Sequence, residues 1–140
     1  MRFTAKIIQG WKGEIVGKAL VTRSKITFLG DVDHRTGLVV GKDLDIKGEN
    51  VKDRILIFPE GRGSTVGSNV LYGLAVKGLA PKLIAVHRAE PITISGAIYG
   101  AIPMVSGIPL ILFEHVKNGD LIKAWISHDE ANLEIMHLEQ

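Results

Sequence analysis

The chain contains no cysteine. That single absence excludes disulfides, thiolate metal sites, a cysteine nucleophile and any iron–sulfur cluster held by the chain's own thiolates. Aromatic residues are scarce at 6%, so the core must be built mainly from Ile, Leu, Val and Ala. No basic stripe with interleaved aromatics is present, because seventeen Lys and Arg are spread along the chain against fifteen Asp and Glu. Nucleic-acid binding is therefore not expected. The five histidines, His34, His87, His115, His128 and His137, show no H-E-x-x-H or comparable ligand spacing, and no metal site is expected. The amino terminus alternates like a strand and has no apolar leader block. Residues 92–113 carry no charge but include Pro103, Pro109, Gly96, Gly100 and Gly107, which suits buried core better than a bilayer span. The expectation is a cytoplasmic protein with no membrane partner.

What is present fits one globular domain over residues 1–140, with 46% apolar and 23% charged residues. The first half reads as short strands between turns: residues 2–8, then Glu14 to Thr22, then Leu38-Val39-Val40 after a Gly- and Asp-rich loop. Asp43 to Asn50 reads as a polar connection. The second half changes to strand, helix, strand. Arg54 to Phe58 is a strand, Ser68 to Lys77 a helix ended by Gly78, and Lys82 to Val86 a second strand. Thr93 to Tyr99 suits a short helix, and Ile102 to Val105 and Leu110 to Phe113 suit short strands. Asp120 to Ile126 and Leu133 to Leu138 read as a hairpin joined by residues 127–132. The expected fold class is α/β, with a layer of antiparallel strands stacked on a β/α layer and few short helices. The two helices are too few for a doubly wound dinucleotide fold.

The most informative segment is Pro59-Glu60-Gly61-Arg62-Gly63-Ser64-Thr65-Val66-Gly67-Ser68. A buried strand ends at Pro59, three glycines and three hydroxyl side chains follow, and a helix begins. A strand, a glycine loop and a helix amino terminus together present N–H groups to an anion. The segment matches neither G-x-G-x-x-G nor the Walker A spacing. Arg62 suits a planar anion, or an ion pair with Glu60. Ser64 or Ser68 also suits a plain helix cap.

Three separated blocks resemble one family. Phe28-Leu29-Gly30-Asp31-Val32-Asp33 with Thr36-Gly37 is similar to its "FLGG-hydrophobic-D…TG" segment. Ile57-Phe58-Pro59 through Ser68 is similar to its "FP-x-GRGSS-x-GS" loop. Arg88-Ala89-Glu90-Pro91-Ile92, Gly96-Ala97 and Ile102-Pro103-Met104-Val105 are similar to its "RAEPI…GA…IPLV" region. The pattern is that of the aconitase X swivel-domain family and covers about residues 14–126. Thr65 replaces the second serine of the loop, and Asp31 replaces the second glycine of the first block.

The resemblance implies a swivelling β/β/α domain that serves as the small subunit of a heterodimeric hydro-lyase and binds no cofactor itself. It implies a large catalytic subunit carrying an iron–sulfur cluster whose metal takes the departing hydroxyl. It implies a phosphorylated hydroxy-acid substrate, 5-phosphomevalonate, dehydrated to trans-anhydromevalonate 5-phosphate. Bacterial relatives of similar sequence dehydrate cis-3-hydroxyproline instead. By the same resemblance Ser64 is the proton-abstracting base, and Arg62, Gly63, Thr65 and Arg88 are substrate-binding residues. Asp31, Asp33 and His34 are candidates to reach the site or the partner, and simple turn chemistry is the alternative for them. Arg88 and Glu90 follow the strand Lys82 to Val86, which is expected to run parallel and adjacent to the strand feeding the serine loop, so that both loops open at one edge. They suit either anion binding or a mutual contact. Two other functions remain in view: a non-catalytic anion-binding or regulatory module, and a phosphohistidine carrier using His87.

Overall fold

The computed structural model describes residues 1–62 and 67–136. Gly63, Ser64, Thr65, Val66 and residues 137–140, including His137 and Leu138, lie outside the described residues. Seven strands form one closed barrel in the order β1 (Arg2–Gln9), β5 (Met104–Ser106), β4 (Leu83–Val86), β3 (Ile55–Phe58), β2 (Glu14–Val21), β6 (Leu121–Ser127) and β7 (Glu130–Met136). β2, β3, β4 and β5 run parallel, whereas β1, β6 and β7 pair antiparallel with their neighbours. The mixed α/β class with few short helices holds. The two expected β layers are not separate sheets, however. β1 pairs with both β5 and β7, which joins them into a barrel.

β3 and β4, Ile-Leu-Ile-Phe and Leu-Ile-Ala-Val, are buried at every position, as parallel strands covered on both faces must be. Alternate side chains separate into two cores. Ile55, Ile57, Leu83, Ala85 and Val105 point into the barrel, with Ile122, Ala124, Ala131 and Leu133 from the antiparallel half. Five alanines (5, 19, 85, 124 and 131) belong to that interior, which suits the narrow lumen of a small barrel. Leu56, Phe58, Ile84, Val86 and Met104 point outward, onto α2 (Gly67–Val76) and the long segment between β2 and β3, which holds the short turn α1 (Phe28–Asp31). That segment, of which Asp43 to Asn50 reads as a polar connection from sequence, sends Ile26, Phe28, Val32, Val39, Leu44, Ile46 and Val51 into the same core. Leu38-Val39-Val40 contributes isolated bridges to Val32 and Asn50, not a strand.

Local chemistry explains the helix ends. α2 stops where Gly78 takes a φ of 72°, with Leu79 N–H on the Leu74 carbonyl (2.8 Å) and Gly78 N–H on the Ala75 carbonyl (3.1 Å). α3 (Pro91–Tyr99) begins two residues earlier than the sequence suggests, because Pro91 occupies its first turn and the Glu90 carboxylate caps Ile92 and Thr93 N–H at 2.9 and 2.7 Å. Leu110 to Phe113 is not a strand. Pro109 opens a helical turn that continues as α4 (Leu112–His115), placing Leu112 and Phe113 in the interior core and leaving Leu110 and Ile111 exposed. A run of four apolar residues carries too little periodicity to separate the two. The terminal hairpin is tighter than expected, turning in two residues at His128 (φ 60°) and Asp129.

α2 and α3 touch through Gly96. A Cβ there would lie 2.7 and 2.8 Å from Leu71 side-chain atoms and 3.2 Å from the Ser68 Cα. Gly96→Ala would gain about 1 kcal/mol of helix propensity, yet the overpacking costs about 1–3 kcal/mol. The expected outcome is net destabilisation on the order of 1 kcal/mol, read as a lower urea midpoint with an unchanged slope.

Candidate active site at the open edge of the barrel

Because β2 to β5 are parallel, the loops leaving their carboxyl ends open at one edge, where ligands of α/β sheets are commonly held. Backbone bonds lace these loops together. Arg62 N–H donates to the Ile26 carbonyl (2.8 Å), and His87 and Arg88 N–H both donate to the Pro59 carbonyl (3.0 Å each). Gly107 N–H donates to the His87 carbonyl at 3.0 Å. The expected parallel neighbour of the strand feeding the serine loop is β4, with Phe58 opposite Val86.

Arg62 is exposed and lines a cleft of about 310 Å³ with Ser24, Lys25, Thr27, Asp31, Lys42 and Asp43. Glu60 pairs with Lys25 at 3.2 Å, not with Arg62. Among the described residues no hydrogen-bond or ion-pair partner engages the Arg62 guanidinium. Arg88 stands exposed on the neighbouring loop, likewise without a side-chain partner among the described residues. No Arg88–Glu90 pair forms, because Glu90 caps α3 and also takes the Thr93 hydroxyl. Gly61 lies directly against that pair, and a Cβ there would collide with the Glu90 carboxylate and the Thr93 hydroxyl. The absence of a side chain at 61 thus seats the serine-loop entrance on the α3 cap.

Of the acidic-loop candidates only Asp31 reaches the cleft. Its carboxylate accepts Thr27 N–H at 2.7 Å across the turn at Gly30. Asp33 closes its own turn by accepting Arg35 N–H at 2.8 Å. His34 sits beside Lys77, whose ammonium donates to the His34 carbonyl at 3.2 Å. The His87 ring is half-buried and donates through Nδ1 to the Ile108 carbonyl at 2.8 Å. Ser64, Thr65 and Gly63 lie outside the described residues, between Arg62 and the first residue of α2.

Sequence reasoning missed Ser24, Lys25, Thr27 and Lys42. Their signal was available only as position, since they follow or pack near the end of β2, whose parallel pairing with β3 is a long-range fact. No group of three or more His, Asp or Glu residues converges as metal ligands among the described residues, and the chain has no cysteine. The donor set of this chain does not fit an iron–sulfur cluster. No helix among the described residues is long and apolar enough to cross a membrane, and residues 92–113 divide among α3, β5 and α4.

The family model of the aconitase X swivel domain matches residues 3–135. The chain belongs to the aconitase X swivel-domain family. The fold agrees: the structure described as aconitase X (holo-form) from Thermococcus kodakaraensis superimposes with a TM-score of 0.87 at 38% identity, covering 98% of this chain and 99% of that one. The phosphomevalonate dehydratase small subunit of Thermococcus sibiricus is 45% identical over 96% of this chain and 99% of its own length. That of Archaeoglobus fulgidus is 43% identical over 97% of this chain and 99% of its own length. These relatives of the swivel domain are dehydratase subunits, and their description as small subunits implies a larger partner.

Proposed function

We propose that this swivel domain is the small subunit of a phosphomevalonate dehydratase and supplies one wall of an active site completed by a larger subunit. The observation that carries the reading is the end-to-end match to small subunits of that enzyme. The basic open edge supports it. 5-Phosphomevalonate brings a carboxylate and a phosphate, and Arg23, Lys25, Arg62 and Arg88 all leave the carboxyl ends of adjacent parallel strands.

Dehydration removes a proton from the carbon next to the carboxylate and hydroxide from the following carbon, leaving a double bond and water. In this chain Ser64 takes the proton. Its alkoxide is a strong base only if preorganised dipoles stabilise it, and the α2 amino terminus, glycine-loop N–H groups and the Arg62 charge are placed in sequence to do so. Arg62 holds an anionic oxygen of the substrate, Gly63 and Thr65 donate hydrogen bonds, and Arg88 holds a second anion. The iron–sulfur cluster expected from the family is assigned to the larger subunit, since this chain has no thiolate to hold it.

Arg62→Ala is expected to raise KM for 5-phosphomevalonate by about tenfold to a hundredfold, the loss of one charged hydrogen bond. Arg62→Lys should recover only part, because a point charge cannot bind two oxygens in a plane. The reading itself is tested by assaying the two subunits apart and mixed. Turnover of 5-phosphomevalonate by the mixture alone supports it. Turnover of cis-3-hydroxyproline with none of 5-phosphomevalonate reassigns the substrate, and anion binding by this chain without turnover in the mixture reassigns it as a regulatory module.

A further inference from the structure

A second surface differs in chemistry from the basic edge. α2 and α3 form the outer helical layer, yet residues 67–76 and 91–99 include no Asp, Glu, Lys or Arg. A helix with water along its outer face normally carries charge there, and one uncharged all round is normally covered. Close packing at Gly96, and at Gly100, where a Cβ would lie 3.0 Å from the Ala75 Cβ, brings the two helices together. Their outer side exposes Tyr99 (74%), Val76 (66%), Ile98 (50%) and Tyr72 (49%). Tyr72 and Tyr99 line one shallow cleft with Ser68 and Asn69. The barrel's antiparallel half behaves differently: its outward residues carry the pairs Arg2–Glu134 and Lys123–Glu14, at 3.7 and 3.1 Å, as a solvated face does.

We propose that the α2–α3 face is the docking surface for the larger subunit, a partner that lays an apolar, aromatic-accepting surface over Tyr72 and Tyr99. The inference rests on the small-subunit reading above. Two facts select this occupant. The relatives of the chain are small subunits, so a larger partner exists to cover an uncharged face. In addition, Ser68 and Asn69 in that cleft directly follow the serine loop in sequence, and residues 63–76 include no Asp, Glu, Lys or Arg, so a partner closing the active site has an uncharged stretch of chain to follow onto this face. Tyrosines suit such a position, since each offers a large apolar ring and a polar tip.

The test compares Tyr99→Glu and Val76→Glu with Val16→Glu, an exposed position on β2, for binding to the cognate larger subunit by titration calorimetry. Both helix variants should weaken Kd at least tenfold, Val16→Glu should not, and all three isolated chains should unfold at the wild-type temperature. Wild-type Kd for both helix variants overturns the docking proposal, even where the wild-type mixture dehydrates 5-phosphomevalonate and the functional reading stands. Conversely, weakened docking with a wild-type mixture inert toward 5-phosphomevalonate upholds the surface and removes the functional reading. Failure of the wild-type chain to bind the larger subunit, with Tyr99-dependent self-association seen by sedimentation, overturns the proposal in favour of a second copy of this chain.

Discussion

Ser64→Ala in the assembled enzyme is expected to lower kcat by about 10²–10⁴-fold, the usual contribution of a positioned general base. KM should stay within a few-fold, because Arg62, Arg88 and the backbone N–H groups proposed to bind the substrate's anions are untouched. The split between the two constants matters. A serine that only capped α2 would cost about 1 kcal/mol of stability and leave turnover nearly unchanged. Measuring kcat, KM and thermal unfolding of the same variant therefore separates base from cap. A wild-type kcat removes Ser64 from the chemistry. The position of the residue motivates the large effect: it lies between Arg62, whose guanidinium has no partner among the described residues, and the start of a ten-residue helix.

Phe58→Ala is expected to cost about 3–5 kcal/mol, as truncation of a fully buried aromatic does. Phe58 is the last residue of β3 and is completely inaccessible. Its ring meets Phe28 edge to face, with centroids 5.8 Å apart and planes at 73°. Phe28 in turn begins the turn that carries Asp31 into the cleft, and Pro59 to Arg62 follow Phe58 directly. The loss is thus expected in two readouts: a lower denaturation midpoint for the chain, and reduced activity of whatever enzyme still assembles. Phe58→Leu should retain most of the stability, since most of the buried volume is kept.

The elements flanking the candidate site were legible in sequence where local chemistry decides structure. An apolar β3 and a Gly78 cap specify a strand and a helix end within one short stretch, and the structure has both there, while Gly63 to Val66 of the glycine loop lie outside the described residues. Placement of Arg88 on the adjacent loop followed from treating β4 as the parallel neighbour of β3. What stayed hidden was long-range. Nothing near Ala5 or Lys6 says that β1 pairs with both β5 and β7, and only those pairings close the barrel. Lys25 and Lys42 were invisible for the same reason, because the end of β2 reaches the site only through its pairing with β3. Glu90 stayed between two readings for a different reason. Its neighbour Arg88 suggested an ion pair, but two N–H groups at the start of α3 and the Thr93 hydroxyl use the carboxylate fully enough to leave Arg88 outward.

The central claim is that the open edge of this barrel faces the substrate in the assembled enzyme. Amide hydrogen exchange on the wild-type chain mixed with the larger subunit, with and without saturating 5-phosphomevalonate, tests it without altering a residue. The account predicts substrate-dependent protection in peptides covering residues 22–31, 59–69 and 87–90, with none at the opposite end around residues 9–14 and 128–130. Protection confined to that opposite end, or no substrate-dependent change anywhere in this chain, would contradict it.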